Sequence, residues 1–272
     1  MIISVLGCGW LGFPLAERLL THEHTVKGST TTPKKVGLLK QSGIDAYHLN
    51  LPDSFSEKKT EPFWDCDVLV LNIPPGRRNP NVKEEFPALV KKIVEKAKEH
   101  TISWIVFTSS TSVYPKFGGL TTEEDAKPGE AARKSGEALL KAEEVIINSG
   151  IDYTILRLAG LYGYDRHPVK HLSGKKNLSD ALKPVNLVHQ LDCVNIITQI
   201  IEQKKRNEIY NVVSDGHPPR KEFYQCAAKH FNLPPPTFDE DTNSNYRIVS
   251  NEKIKGDLFY EFFYPNPMDH TH

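Results

Sequence analysis

The chain has 272 residues, 39% hydrophobic and 25% charged, with 34 Lys+Arg against 34 Asp+Glu. That balance excludes a long disordered chain and gives no global field to draw the molecule onto nucleic acid or an acidic membrane. No apolar run approaches the roughly 20 residues of a membrane span, and four scattered cysteines with no C-x-x-C make a poor disulfide or zinc framework.

The start, MIISVLGCGWLG, lacks the basic segment and cleavage site of a signal peptide. Reduced thiols and no leader predict a cytoplasmic protein. Ile2 to Leu6 reads as a buried strand, and Leu11, Leu15 and Leu19 follow at helical spacing, with Pro14 in the first turn. His24 to Ser29 and Gly43 to Leu49 read as the next two strands, around a helix carrying Val36, Leu38 and Leu39. Asp67 to Ile73 is an apolar strand closed by Pro74-Pro75-Gly76. Phe86, Leu89, Val90, Ile93, Val94 and Ala97 form one face of a long helix. Ser103 to Thr108 is a strand that runs into a loop of Ser and Thr, and Glu137 to Ser149 is a helix stopped by Gly150. Tyr153 to Leu158 and Ile209 to Val213 are further strands, and Val185 to Ile201 holds a short strand and a helix.

This alternation predicts an α/β Rossmann fold, a doubly wound parallel sheet. Two stretches break the rhythm, about 164–184 and 214–272. They predict a small C-terminal substrate lobe over a Rossmann domain formed by 1–163 and about 185–213.

Gly7-Cys8-Gly9-Trp10-Leu11-Gly12 is G-x-G-x-x-G between a strand and a helix, the context that makes this pattern a dinucleotide site. Gly7 permits the tight turn, Gly9 lets the backbone approach a pyrophosphate, and Gly12 lets helix and strand pack closely. Trp10 and Leu11 open the helix, whose free N–H groups suit phosphates. An NAD site usually places an acid at the end of the second strand. Here Val26 to Lys35 holds no acid, but carries hydroxyls and three lysines, Lys27, Lys34 and Lys35. Ser29, Thr30 and Lys34 are therefore candidates for a 2′-phosphate, which predicts NADP, with NAD as the alternative.

With this loop, the segment Phe107-Thr108-Ser109-Ser110-Thr111-Ser112-Val113-Tyr114-Pro115 resembles the extended short-chain dehydrogenase/reductase family of nucleotide-sugar epimerases and dehydratases. Leu156 to Gly163 resembles its R-x-x-x-x-Y-G segment, and Val185 to Asp192 resembles the segment ending in His-x-x-Asp. The tail Val249 to Lys253 with Tyr264-Pro265 is similar to that of a small bacterial subgroup. The resemblance implies that Ser110 hydrogen-bonds the reacting hydroxyl or carbonyl. It implies that Thr108 and Ser109 line the nicotinamide side, and that Ile73, Pro74 and Pro75 border the adenosine and ribose. It also implies a homodimer through helices near 84–99 and 135–149, an assembly the sequence leaves open.

The family's acid/base is Tyr-x-x-x-Lys on the helix after the Ser loop. No such motif stands between Tyr114 and Tyr153; anchoring on Ala142-Glu143, its two positions are Ser135 and Leu139. Tyr114, Tyr162 and Lys134 are substitutes on proximity, and Tyr114 is equally read as packing at a turn. Tyr162, Arg166 and His189 are candidate substrate contacts, against the plainer readings of a surface arginine and a helix-entry histidine. His167 and His171 stand i, i+4 beside Asp165, but Gly163 and Pro168 predict a loop there, so no metal site is expected. Three functions compete: an NADP-dependent oxidoreductase on a small polar or nucleotide-linked substrate, a silent NAD(P)-binding redox sensor or regulatory protein, and an interaction protein that has lost its cofactor.

Overall fold

Val68-Leu69-Val70-Leu71 is buried throughout its length, as a strand covered on both faces must be. It lies at the centre of a computed structural model that describes residues 1–76, 79–116, 118–240 and 246–269. The first half runs β1 (Ile2–Leu6), α1 (Gly12–Thr21), β2 (Thr25–Thr30), α2 (Pro33–Gln41), β3 (Asp45–His48), α3 (Glu61–Trp64), β4 (Val68–Leu71) and α4 (Val82–Glu99). Next come β5 (Trp104–Ser110), β6 (Leu120–Thr121), α5 (Lys134–Ile147), β7 (Asp152–Leu158) and β8 (Gly160–Tyr162). The last part holds β9 (Leu187–His189), α6 (Gln190–Glu202), β10 (Glu208–Val212), α7 (Arg220–His230), β11 (Ile248–Val249) and α8 (Glu252–Leu258).

Seven strands form one parallel sheet in the order β10-β7-β5-β4-β1-β2-β3. The chain winds outward from β1 one way and from β4 the other, so strand order reverses between them. Doubly wound sheets open a crevice at that point, beyond the carboxyl ends of the strands. Helices α1 and α6 pack together, as do α4 and α5. The buried face of α1 is Gly12, Leu15, Ala16 and Leu19, the spacing of one helical stripe. Trp64, Trp104 and Phe107 are fully buried in the main core, and the Trp104 indole N–H donates to Thr154 Oγ1 at 3.0 Å.

Two satellite clusters lie apart from that core. Tyr162, Val185, Leu187 and Phe223 form one; Val169, Ala227 and Ala228 form the other. Both draw on the stretches read as a lobe. The tail divides differently. Val249, Ile254, Leu258, Tyr260 and Phe262 belong to the main core, and buried Asp192 accepts hydrogen bonds from the Tyr260 hydroxyl and the Phe263 and Tyr264 amides. The apolar spacing of α8 thus seals the domain rather than building the lobe.

Candidate functional site

The glycine loop turns at the end of β1. Gly7 has φ +107°, and a Cβ there would meet the Asn72 carbonyl oxygen at 2.4 Å, so only glycine makes this turn. A Cβ on Gly12 would fall 2.1 Å from the Gly7 carbonyl oxygen. Gly9 is different: a Cβ there would meet nothing within 4 Å. Two hydrogen bonds fix the loop. The Gly7 N–H donates to Ser29 Oγ at 2.9 Å, and Asn72 Nδ2 donates to the Gly7 carbonyl at 2.9 Å. The Cys8 thiol packs inward with 4% exposure, and burial pushes its pKa up to about 12. Helix α1 begins with no side-chain cap and no acid in its first turn, which leaves its partial positive charge uncompensated by any side chain.

Beside this loop lies a cleft of about 590 Å³, lined by Gly7, Gly9, Trp10, Leu11, Ser29 and Thr30, with Ile73 and Pro74 on the opposite wall. Among the described residues its charged lining is Lys35 and Arg166, with no acid. Lys34 stands outside it, because α2 turns that side chain to solvent and presents Lys35 instead. The acid-free end of β2 was legible in sequence, but which of two adjacent lysines faces the cleft depends on the helix phase.

A second cleft of about 230 Å³ adjoins the first and shares Leu11, Asn72, Ile73, Pro74 and Arg166 with it. It is lined by Pro75, Thr108, Ser109, Ser110, Ser112, Ser135 and Leu139. Ser110 Oγ accepts the Ser112 amide at 3.2 Å, which leaves its own O–H to donate. A Cβ on Gly136 would meet the Ser112 carbonyl at 2.0 Å, so α5 lies hard against the Ser loop and brings Ser135 beside it. Ser135 and Leu139 both line this cleft, one with a hydroxyl and the other with an alkyl group. Asn72 was not singled out by sequence. It accepts the Thr108 hydroxyl at 3.0 Å as well as holding Gly7, so it joins the two clefts.

Tyr114 is not at this site. It is fully buried, its hydroxyl donates to Asn211 Oδ1 at 2.7 Å and accepts from Arg157 at 2.9 Å, and burial pushes its pKa up to about 12. The turn after Ser110 sends it into the core. Behind the cleft floor, Arg157 pairs with buried Glu143 at 2.8 Å, and Glu143 also accepts the Ser109 hydroxyl. Ser109 therefore lines the cleft with its hydroxyl already committed. Tyr162 likewise points away, into the satellite cluster with Phe223.

His189 is a structural residue here. Its Nδ1 accepts the Leu191 amide at the start of α6, and its ring lies 3.7 Å from that of Tyr264. Burial lowers its pKa to about 4. The folded state thus favours the neutral ring, so this contribution to stability is complete above the unfolded pKa of about 6.5 and is lost as pH falls from there toward 4. The expected result is a thermal midpoint that drops between pH 7 and pH 4.5, with a shallower drop in His189→Asn, whose amide oxygen can still cap the helix. An unchanged slope in that variant would place the titration elsewhere, for instance on His217, which burial also lowers. His167 caps the turn at 168–171 through Nδ1 and stacks on Phe223. Among the described residues no group of three or more His, Cys, Asp or Glu is placed to hold a metal, and no helix is long and apolar enough to cross a membrane.

A doubly wound sheet with a glycine loop and an acid-free cleft at its switch point defines a Rossmann dinucleotide-binding protein. The chain belongs to the NAD(P)H-binding family, whose model matches residues 7–188. It is 36% identical over 270 residues to Protein YeeZ of Escherichia coli strain K12, covering 98% of this chain and 97% of that one. Solved structures share the fold. A UDP-glucuronic acid 4-epimerase from Bacillus cereus, in complex with UDP-glucuronic acid and NAD, superposes with TM-score 0.78 at 17% identity, covering 99% of this chain and 96% of that one. A short-chain dehydrogenase/reductase superfamily protein from Agrobacterium tumefaciens with bound NAD gives 0.76 at 17% identity, covering 96% and 92%.

The residues fit a dinucleotide. Gly9 leaves room where a side chain would otherwise stand, and among the described residues the charged groups along the larger cleft, Lys35 and Arg166, are cations.

Proposed function

We propose that this chain is an NADP-dependent oxidoreductase of the cytoplasm, acting on a small polar or nucleotide-linked substrate without the usual Tyr-Lys pair. The observation that carries the reading is the continuity of the two clefts. The larger suits the adenosine and phosphates, and the smaller suits the nicotinamide and a reacting group beside Ser110. When bound, the nicotinamide supplies or accepts a hydride. The chain's own part is to orient. Ser110 donates a hydrogen bond to the substrate oxygen, while Ser112 and Ser135 add hydroxyls beside it. Leu139 and Leu158 exclude water from the same wall. None of these hydroxyls gives up a proton near neutral pH, so the proton comes from water or from the substrate itself.

The second reading is a silent NAD(P)-binding sensor or regulatory protein. It is favoured by one observation: among the described residues no carboxylate, imidazole or phenol lines the smaller cleft to act as a general acid or base.

The test of NADP over NAD is a titration with NADPH and NADH followed by nicotinamide fluorescence. We expect NADPH to bind at least tenfold tighter, about 1.4 kcal/mol, and Lys35→Ala to remove most of that difference. Equal binding of both would discard the NADP preference, and no binding of either would leave the interaction-protein reading.

A further inference from the structure

We infer that Arg166 is a clamp on the pyrophosphate of the bound dinucleotide, delivered from the segment that follows β8. The inference rests on the reading of the clefts as a dinucleotide site. It goes beyond that reading in giving the phosphates a side-chain partner from the far half of the chain.

Arg166 lines both clefts, at their junction. Among the described residues it is the sole charged one lining the smaller, and it shares the larger with Lys35. Its side chain is exposed, and among the described residues its guanidinium has neither an ion-pair partner nor a hydrogen-bond acceptor. An arginine free in that way is ordinarily mobile. This one lies over the Trp10 ring, with Cζ 5.0 Å from the centroid. Stacking holds the plane of the guanidinium and leaves its N–H edges free for a planar or tetrahedral oxyanion.

Trp10 is itself held. Its indole N–H donates to Asp165 at 2.8 Å, and its carbonyl accepts from Gln190 Nε2. Lys170 holds the Asp165 carbonyl at 2.9 Å. The residue before the arginine is thus bonded to the residue after Gly9, and Arg166 is kept above the amides that open α1. Two phosphates arriving there would find helix amides below and a preset cation above. Among the described residues no carboxylate lines either cleft to repel them.

The same chemistry could serve a phosphate of the substrate rather than of the cofactor, and the test separates the two sources. Binding of ADP-ribose, NADPH and adenosine to the full-length chain and to Arg166→Ala is followed by intrinsic tryptophan emission and by calorimetry. Trp64 and Trp104 are fully buried, so the emission change is assigned to Trp10 and is absent in Trp10→Phe. We expect Arg166→Ala to bind ADP-ribose and NADPH roughly tenfold to a hundredfold more weakly, the effect of one lost charge-assisted contact. Adenosine, which has no phosphate, should bind both proteins equally, and Arg166→Lys should fall between. Equal ADP-ribose affinity in wild type and Arg166→Ala overturns the clamp and returns Arg166 to the substrate, while leaving the dinucleotide reading in place. Equal losses for adenosine and ADP-ribose overturn it too, since the arginine would then shape the loop and not contact phosphate. Failure of the wild type to bind any of the three overturns both readings.

Discussion

Replacing Gly9 by valine is expected to abolish dinucleotide binding while leaving the thermal midpoint within a degree or two of wild type. Replacing Gly12 by alanine is expected to lower both. The two glycines belong to one motif, yet the folded chain needs them for different reasons. A Cβ at Gly12 would sit 2.1 Å from the Gly7 carbonyl oxygen. Backbone on both sides must then move, at a cost of about 2–4 kcal/mol. For a chain of this size that is a fall of about 5–10 °C. At Gly9 a Cβ meets nothing within 4 Å, and φ lies outside the glycine-only region. Nothing in the protein alone requires glycine there, so the requirement must come from a ligand whose atoms approach the backbone. Calorimetry with NADPH, alongside a thermal melt, reads both effects. A Gly9→Val protein that binds NADPH with wild-type affinity would show that the pyrophosphate does not lie against this backbone.

The other large effect is expected at Arg157. Replacing it with methionine should destabilise the fold by about 3–5 kcal/mol, a fall of about 10 °C in the midpoint. Arg157 is 3% exposed and Glu143 1% exposed. The guanidinium meets the carboxylate through Nη2 at 2.8 Å and through Nε at 3.2 Å. Removing the cation leaves a buried carboxylate with only the Ser109 hydroxyl against it. The loss reports the stranded charge more than the value of the pair. The double change Glu143→Gln with Arg157→Met should therefore recover most of the midpoint. Chemical denaturation of the four proteins measures the cycle. A single variant as stable as wild type would mean that Glu143 is relieved by another route.

The parallel sheet and the glycine loop were legible because they rest on local signals: continuous apolar strands, helical stripes, and glycines at fixed offsets. Motif spacing singled out the Ser loop, Ser135 and Leu139, and these line the smaller cleft. What sequence could not supply was direction. For Tyr114 and His189 it left two readings open, and the geometry shows the plainer one for each, turn packing and a helix-entry cap. Lys34 and Lys35 differ only by one step of helix phase. Asn72 carried no motif, because its role is to bond a glycine 65 residues earlier in the chain. Helix α7 was missed for another reason. Its stripe is short, Phe223, Ala227 and Ala228, and it follows Pro218-Pro219, which reads as a break.

The stitching of Trp10 has a consequence for how the chain is made. Its partners Asp165 and Gln190 lie 155 and 180 residues downstream. The loop therefore leaves a ribosome well before the groups that complete it. At roughly 5–20 residues per second, most of the sheet has emerged before the tryptophan has anything to bond. A nascent chain halted before residue 165 would display the glycines without the frame that orients them. Nucleotide capture by such a chain should appear only after that interval, as a late event of synthesis.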